Sequence, residues 1–238
     1  MNRVAAILPA AGLGTRMGAA TPKQFLELDG MPLLLFTLRR LAACAAITDF
    51  IISTRAEDVV ALQAQVARAG LGRPARVVHG GDTRQQSVAN GLAQVDPATE
   101  IVLVHDAVRP FVTVEQVNRV IAEARMRDAA ILAIPAIDTV KEVKRASLPE
   151  DVALITATIP RERVVMAQTP QAFKYSLLRE AFRAAQQDDV TASDEAGLVE
   201  RLGRDVYAVL GSERNLKITR PADLDLARFY LEHERIGK

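Results

Sequence analysis

Short apolar runs recur along the chain, and their lengths suit buried β-strands. We predict a strand at each of five such runs, at residues 4–8, 50–54, 75–79, 101–105 and 131–134. Because these runs are apolar at almost every position, both sides of each strand are expected to be buried. The pattern therefore favours a sheet that is covered on both faces.

The stretches between the predicted strands carry apolar residues at helical spacing. Each of three sets shares one helical face: Val59, Leu62, Val66 and Ala69; Val88, Leu92 and Val95; and Val117, Val120, Ile121 and Ala124. Further helices are predicted at residues 175–187, 194–202 and 221–234, with a strand at 204–210. Alternating strands and helices are typical of right-handed βαβ units. We therefore predict an α/β fold with a doubly wound, mostly parallel sheet, in one domain over residues 1–238.

Residues 138–158 interrupt this alternation. Two β-rich runs, 139–144 and 153–158, flank a turn-like segment at 147–151 and leave no room for a helix. Two strands without a crossover helix pair as an antiparallel hairpin. An isolated hairpin is marginal in water, and the apolar residues of this one would otherwise be exposed. We predict an inserted arm that packs against a second copy of the chain; the alternative is a hairpin folded back on its own domain.

Composition and charge exclude several classes of protein. The 238 residues are 49% hydrophobic and 25% charged, which provides a real core and excludes disorder. The net charge of +1 excludes a broadly basic surface, so no nucleic-acid partner is expected. The single cysteine, Cys44, excludes an internal disulfide. No apolar run approaches the ~20 residues of a membrane-spanning helix or forms a secretory signal, so we expect a cytoplasmic protein without a membrane partner.

The first candidate site is a glycine-rich loop at residues 9–18, which follows the first predicted strand. Ligands of open parallel sheets bind beyond the carboxyl ends of the strands. A dinucleotide-binding loop would need a third glycine where Met17 stands, and a Walker A loop would need Gly-Lys-Ser/Thr. Instead, Arg16 and Lys23 flank the glycines and are placed to clamp a triphosphate. The alternative is an ordinary turn with solvated charges.

Two further strand ends carry candidate residues. In the segment 80–87, Gly80 and Gly81 permit close approach of a flat ring, and Ser87 can hydrogen-bond a base edge. The alternative interpretation makes Asp82 the N-cap of a helix. In the segment 105–110, Asp106 faces the ligand crevice, where it could hold a metal ion or a substrate hydroxyl, whereas we interpret His105 as structural.

The remaining candidates are scattered, and each alone is most often a surface or capping residue. They are Thr139, Arg161 with Arg163, and the segments 169–171, 193–195 and 217–221. The chain shows no Ser-His-Asp or Cys-His arrangement that is typical of a nucleophilic enzyme.

Taken together, these segments resemble the 2-C-methyl-D-erythritol 4-phosphate cytidylyltransferase family. The resemblance runs in order over essentially the whole chain, through residues 9–17 with 22–23, 80–87, 105–110, 138–141, 169–171 and 217–221. It implies a Rossmann-like nucleotidyltransferase fold. One glycine-rich loop would be weak support, but six ordered motifs are specific.

The resemblance also implies roles for individual residues. Arg16 and Lys23 would stabilise charge on the phosphates of CTP in the transition state, and Arg161 and Lys217 would position the methylerythritol phosphate. The nucleotide would be bound by Ala10, Ala11, Gly12, Gly81, Asp82 and Ser87, and the acceptor by Asp106, Arg109, Thr139, Thr169 and Thr219. Gly14 and Ala107 are further substrate-binding candidates. Ser193 stands where the family commonly has threonine before Asp-Glu, and it keeps the hydroxyl for an acceptor contact.

The implied activity transfers CMP from CTP to the acceptor phosphate and releases pyrophosphate, in the non-mevalonate route to isoprenoid precursors. It would use Mg²⁺ or another divalent cation, held mainly by the CTP phosphates, with Asp106 as the candidate protein ligand. The family dimerises through the hairpin arm, so that Thr139 and Arg161 reach the partner's site. Because the second pKa of a phosphate monoester is about 6, the acceptor is already a nucleophile at pH 7 and needs no general base.

Three alternatives remain at this point. A cytidylyltransferase that acts on ribitol 5-phosphate would share nearly every motif and differ in the acceptor pocket. A nucleotidyltransferase that uses UTP or GTP is a second alternative. The third is a regulatory module that binds a nucleotide without turnover, although mere binding would not need acceptor-site cations such as Arg161 and Lys217.

Overall fold

The structure is a computed structural model that describes residues 3–12, 22–144 and 152–236. In chain order the strands and helices are β1 (Arg3–Pro9), β2 (Glu27–Leu28), β3 (Met31–Pro32), α1 (Leu33–Ala42), β4 (Asp49–Thr54), α2 (Val59–Arg68), β5 (Ala75–His79), α3 (Arg84–Leu92), β6 (Thr99–Val104), α4 (Val114–Arg127), β7 (Ala129–Pro135), β8 (Val140–Lys144), β9 (Leu154–Ile159), β10 (Val165–Lys174), α5 (Tyr175–Gln187), α6 (Glu195–Arg201), β11 (Tyr207–Leu210) and α7 (Pro221–Ile236).

The central sheet has seven strands within the described residues, in the order β11-β7-β10-β6-β1-β4-β5. Every neighbouring pair is parallel except the two that involve β10, which runs antiparallel to both β6 and β7. The predicted doubly wound, mostly parallel α/β fold is therefore confirmed.

Both faces of the sheet are covered, and the side chains of β1 show how. Ala6 and Leu8 pack with residues of α1, α2 and α4 on one face, whereas Ala5 and Ile7 pack with residues of α3, α5 and α6 on the other. This alternation is the period of two that a strand imposes on its side chains. Continuous apolarity in β1 thus reflects burial on two sides.

Strand β10 is absent from the sequence-based prediction. Its sequence carries Gln168, Thr169, Pro170 and Gln171 at the centre, where an apolar run would be expected. Pairing with β7 shifts between Ala167 and Gln171, because proline cannot donate to a ladder. This polar centre is why a search for apolar runs does not find the strand.

Several element ends also differ from the prediction. Helix α1 and the short β2–β3 pair were not predicted. Helix α3 ends at Leu92, so Val95 is buried beyond the helix rather than on its face. Strand β11 begins at Tyr207 rather than at 204.

Strands β8 and β9 form a separate antiparallel pair, with Val140 opposite Ile159. The apolar side chains of Val143, Leu154 and Ile155 in this pair are exposed, with Leu154 at 60% and Ile155 at 58%. The predicted turn at 147–151 lies outside the described residues. The domain boundary and the role of residues 138–158 as an arm between two chains stay predictions.

None of the described helices combines the length and the apolar character that crossing a bilayer requires.

Candidate active site

A cleft lies at the carboxyl ends of β1 and β6, where helix α3 begins. Its lining residues come from five segments: Pro9, Ala10, Ala11 and Gly12; Lys23 and Gln24; Gly81, Asp82, Thr83, Arg84 and Ser87; Asp106, Ala107 and Val108; and Lys217. The fold thus gathers at one place most of the residues to which the sequence assigned nucleotide or acceptor contacts. This is the position at which parallel α/β sheets bind ligands.

Gly80 allows the loop after β1 to pack against the start of α3. A β-carbon at this position would lie 2.7 Å from the Cβ of Ala11 and 3.0 Å from Oγ of Ser87. Contacts below 3.0 Å require something to move, so any side chain here would push the two walls of the cleft apart. Close approach of the backbone is therefore the reason for glycine at this position.

The turn into α3 uses the side chains of Thr83 and Ser87. Oγ1 of Thr83 accepts from the N–H of Gln86 at 3.0 Å, so Thr83 is the N-cap, and the alternative that makes Asp82 the N-cap is wrong. Oγ of Ser87 accepts from the N–H of Gly81 at 3.1 Å and lies 2.9 Å from the carbonyl oxygen of Thr83, to which it donates. Because the Ser87 proton is used within the chain, this hydroxyl shapes the turn and offers a ligand an acceptor.

Asp106 is the centre of charge in the cleft. Its Oδ1 lies 3.2 Å from Nε of Arg84, and its Oδ2 lies 2.8 Å from Nζ of Lys217 and 3.5 Å from Nε of Arg109. Burial alone would raise the pKa of Asp106, but Arg84 and Lys217 outweigh burial and hold the pKa well below its usual range. The carboxylate is therefore ionised at neutral pH and accepts hydrogen bonds only.

Lys217 reaches Asp106 because its loop is fixed to the strand ends. The N–H of Ile218 donates to the carbonyl oxygen of Val108 at 3.0 Å. Asn215 is fully buried, and its Nδ2 donates to the main-chain carbonyl oxygen of Thr169 at 2.8 Å. The main-chain carbonyl oxygen of Asn215 accepts from Nη1 of Arg109 at 2.7 Å. These bonds explain how a residue far along the chain joins the cleft.

His105 and Thr169 hold Asp106 from its backbone side. Nε2 of His105 lies 3.1 Å from the carbonyl oxygen of Arg109, which can only accept, so the imidazole carries its proton on Nε2. Nδ1 then accepts from the hydroxyl of Thr169 at 3.1 Å, and that hydroxyl accepts from the N–H of Asp106 at 3.0 Å. His105 is thus neutral, fully buried and structural, as the sequence analysis interprets it.

This arrangement makes stability depend on pH. Burial lowers the pKa of His105 to about 4, below its ordinary value of 6.5. Between these values the unfolded chain binds the proton and the folded chain does not, so stability is expected to fall as the pH drops from 6.5 to 4, by on the order of 3 kcal/mol. Glu195, whose pKa is raised chiefly by burial, opposes this slope.

The measurement that isolates His105 is a pair of urea unfolding series from pH 7 to pH 4, one on the wild type and one on His105→Gln. The variant cannot titrate at this position, so the difference between the two free energies of unfolding should shrink as the pH falls. A difference that stays constant over this range would show that His105 does not resist protonation in the folded chain.

Arg84 connects Asp106 to a second carboxylate that lies behind it. Nη1 and Nη2 of Arg84 lie 2.8 Å and 3.0 Å from the two oxygens of Glu195. Burial would lower the pKa of Arg84, but Glu195 and Asp106 raise it above its usual range. The guanidinium is therefore charged and held on both sides.

Several predicted residues lie outside the cleft. Arg109 and Thr169 are buried behind Asp106, and the hydroxyl of Thr169 has both its bonds within the chain. Thr219 donates from its hydroxyl to Asp223 at 2.9 Å, where it helps to start α7. Ser193 is exposed on the segment before α6.

Thr139 and Arg161 are also exposed, at the base of the hairpin, where Nη1 of Arg161 donates to the carbonyl oxygen of Ile137 at 2.6 Å. Neither residue lines the cleft of its own chain. Arg16 and Gly14 lie outside the described residues.

Sequence reasoning assigned no role to three residues that build the site. Gln24 is buried in the cleft wall and donates to the carbonyl oxygen of Ala10 at 2.7 Å. Arg84 and Glu195 form the pair described above. Arg84 lies within the candidate segment 80–87 and Glu195 within the candidate segment 193–195, but the two residues are 111 positions apart along the chain, and no local pattern connects them.

Asp106 is a residue of the cleft wall that could contribute a carboxylate ligand to a metal ion. Within the described residues there is no group of three His, Cys, Asp or Glu side chains that could hold a metal. Mg²⁺ is commonly bound by one or two carboxylates, several waters and substrate phosphates. The single buried carboxylate in the cleft wall fits that kind of site and does not fit an all-protein one.

Comparisons with known proteins agree with this geometry. The family model described as 2-C-methyl-D-erythritol 4-phosphate cytidylyltransferase matches residues 4–233. Proteins of that name from Acidobacterium capsulatum and Solibacter usitatus are 52% and 46% identical to this chain, over 96% and 98% of its length and 97% of theirs.

Solved structures extend the likeness to the fold. The 4-diphosphocytidyl-2C-methyl-D-erythritol synthase of Anaerococcus prevotii superposes with a TM-score of 0.83 at 31% identity, over 97% of this chain and 99% of that one. The cytidylyltransferase of Thermus thermophilus gives 0.75 at 35%, over 97% and 98%. The match spans the whole described fold and the cleft within it, and the chain belongs to the 2-C-methyl-D-erythritol 4-phosphate cytidylyltransferase family of nucleotidyltransferases.

Proposed function

We propose that this cleft carries out the reaction of the family, the transfer of CMP from CTP to 2-C-methyl-D-erythritol 4-phosphate. The products are 4-diphosphocytidyl-2C-methyl-D-erythritol, which serves isoprenoid synthesis, and pyrophosphate. The observation that carries the proposal is that Lys23, Arg84 and Lys217 line one cleft together with the buried carboxylate of Asp106. Such a site suits two anionic substrates, one of which also carries the hydroxyl groups of a polyol.

Because the acceptor phosphate is already a nucleophile at neutral pH, the cleft needs no general base. Its task is to position the substrates and to stabilise negative charge. One oxygen of the acceptor phosphate attacks the α-phosphorus of CTP, and the bond from that phosphorus to the bridging oxygen of pyrophosphate breaks. His105 cannot act as a base here, since both its nitrogens are engaged and it is fully buried. Catalysis therefore depends on in-line alignment and on cations that meet the growing negative charge.

Lys23 lies beside the residues 9–12 in the cleft wall, where the triphosphate would approach the backbone. A lysine ammonium there would neutralise charge on the leaving pyrophosphate, and Arg16 would do the same from the loop whose structure is not described. Lys217 and Asp106 lie across the cleft and would receive the acceptor. Asp106, ionised at neutral pH, would accept hydrogen bonds from the hydroxyl groups of the polyol.

A divalent cation is part of the proposal. Asp106 is the residue that would share Mg²⁺ with the phosphate oxygens of CTP. When bound, the ion would draw negative charge away from the α-phosphorus and the leaving pyrophosphate.

We further propose that two chains build each active site. Thr139 and Arg161 are exposed at the base of the hairpin and lie away from the cleft of their own chain. The apolar residues Val143, Leu154 and Ile155 of the hairpin are also exposed. Two such arms about a two-fold axis would cover these residues isologously and would bring Arg161 to the acceptor phosphate of the partner's cleft.

The acceptor is the part of the proposal that a panel of substrates tests. Pyrophosphate release from CTP and Mg²⁺ should be fast with 2-C-methyl-D-erythritol 4-phosphate and much slower with ribitol 5-phosphate, and UTP or GTP should replace CTP poorly. Preference for ribitol 5-phosphate would move the assignment to that alternative. Tight CTP binding without release for any acceptor would favour the regulatory module.

A further inference from the structure

We infer that Glu195, which does not line the cleft, is a positioning residue for acceptor transfer: it holds Arg84 so that Asp106 stays available to the acceptor. This inference rests on the proposed function, because it gives Glu195 a task in aligning the acceptor at Asp106. The buried chain Glu195–Arg84–Asp106 is the geometry behind it.

The guanidinium of Arg84 is divided between two carboxylates. Both its Nη atoms face Glu195, at 2.8 Å and 3.0 Å, and only its Nε faces Asp106, at 3.2 Å. Because the guanidinium is a rigid planar fork, two bonds on one edge fix the direction of the third donor. Glu195 therefore decides how Arg84 meets Asp106.

Glu195 is itself held firmly. Its side chain is only 1% exposed, and it is the first residue of α6. The residues beside it are tied to β10, since Nε2 of Gln171 donates to Asp194 at 2.8 Å and Oε1 of Gln171 accepts from the N–H of Ala196 at 3.1 Å. The carboxylate thus approaches Arg84 from a fixed frame.

Charge balance explains what Glu195 contributes. Arg84, Arg109 and Lys217 carry three positive charges, and Asp106 and Glu195 carry two negative ones, which leaves one positive charge for an anionic substrate. Without the charge of Glu195, the Nη atoms of Arg84 would turn to Asp106, the carboxylate that Nε of Arg84 already contacts. Asp106 would then be more fully neutralised and less free to accept hydrogen bonds from a polyol.

The expected signature is a loss of turnover without a matching loss of nucleotide binding. Glu195→Gln keeps the size of the side chain and should lower kcat with 2-C-methyl-D-erythritol 4-phosphate about 10–100-fold, because small errors of alignment cost rates of that order. The Kd for CTP, from calorimetry with Mg²⁺, should change less than about threefold. Glu195→Asp keeps the charge but is one methylene shorter, so its kcat should lie between those of the wild type and Glu195→Gln.

A double-variant cycle separates positioning from general structural damage. If Glu195 acts through Asp106, adding Glu195→Gln to an Asp106→Asn chain should lower the residual pyrophosphate release by less than about threefold. The control for general structural damage is Gln85→Ala. It removes the hydrogen bonds of Gln85 with Val190 and Ala192, in the segment before α6, but leaves the Arg84–Glu195 pair in place. That variant should lose thermal stability and keep the wild-type kcat.

The outcomes are distinguishable. Absence of release by the wild type with this acceptor would contradict the proposed function itself. With an active wild type, a near-normal kcat in Glu195→Gln, an equal loss of CTP affinity, or a full additional loss in the Asp106→Asn background would each overturn the role of Glu195. If Glu195→Gln does not fold, Glu195→Asp carries the same cycle.

Discussion

A chain that carries Lys23→Met is expected to release pyrophosphate about 10²–10³-fold more slowly than the wild type at saturating substrates. Loss of one group that stabilises charge in a transition state has an effect of this size. Lys23 lies in the cleft wall next to the backbone that follows β1, where the leaving pyrophosphate would develop charge. Methionine keeps the length and the apolar stem of lysine and removes only the ammonium.

The matched control is Lys174→Met. Lys174 is a half-exposed lysine at the end of β10 that pairs with Asp128 at 2.6 Å, on the surface and away from the cleft. Exposed pairs contribute little to stability, so this variant should keep the wild-type rate. A folded Lys23→Met chain that turns over as fast as Lys174→Met would contradict the role assigned to Lys23.

Mixing two inactive chains should restore activity. The Lys23→Met chain lacks a cation in its own cleft, and the Arg161→Gln chain lacks one on its arm. If arms are exchanged across a two-fold axis, one of the two sites in each mixed dimer has both groups. Random exchange makes half of the dimers mixed, so an equal mixture should recover about a quarter of the wild-type activity.

The control for this experiment is proof of exchange, by mass spectrometry of chains that carry different tags. Light scattering at micromolar concentration should first show a dimer rather than a 25.8 kDa species. If mixed dimers are present and activity does not return, each chain builds its site alone, and the exposed position of Arg161 needs another explanation.

The sequence predicts the sheet well because its strands are buried on two sides. β1 and β6 contain the uninterrupted apolar runs 4–9 and 101–104, and β4 contains the run 50–52. Such runs favour strands that are buried on both faces. β10 is not found in this way because the residues at its centre are polar and form hydrogen bonds with residues of other segments. Gln168 and Gln171 bond to Ser212 and Asp194, partners that local periodicity does not reveal.

The site shows a similar division. Motifs at strand ends place Lys23, Asp106 and Lys217 in one cleft, because the topology brings strand ends together. The motifs do not show which groups each hydroxyl hydrogen-bonds or which charged side chains pair with one another. Ser87 and Thr169 use their hydroxyl protons within the chain, and Arg84 reaches Glu195 across the fold. Such pairings depend on three-dimensional contacts and appear only once the chain is folded.

The identity of the products tests whether CMP passes directly from CTP to the acceptor. The wild-type chain is incubated with CTP and Mg²⁺, with and without 2-C-methyl-D-erythritol 4-phosphate, and both the small products and the intact chain are weighed by mass spectrometry. With direct transfer, we expect equal amounts of 4-diphosphocytidyl-2C-methyl-D-erythritol and pyrophosphate, and both should form only when the acceptor is present. The mass of the chain should stay unchanged. Pyrophosphate release without acceptor, or a chain heavier by one CMP, would contradict direct transfer.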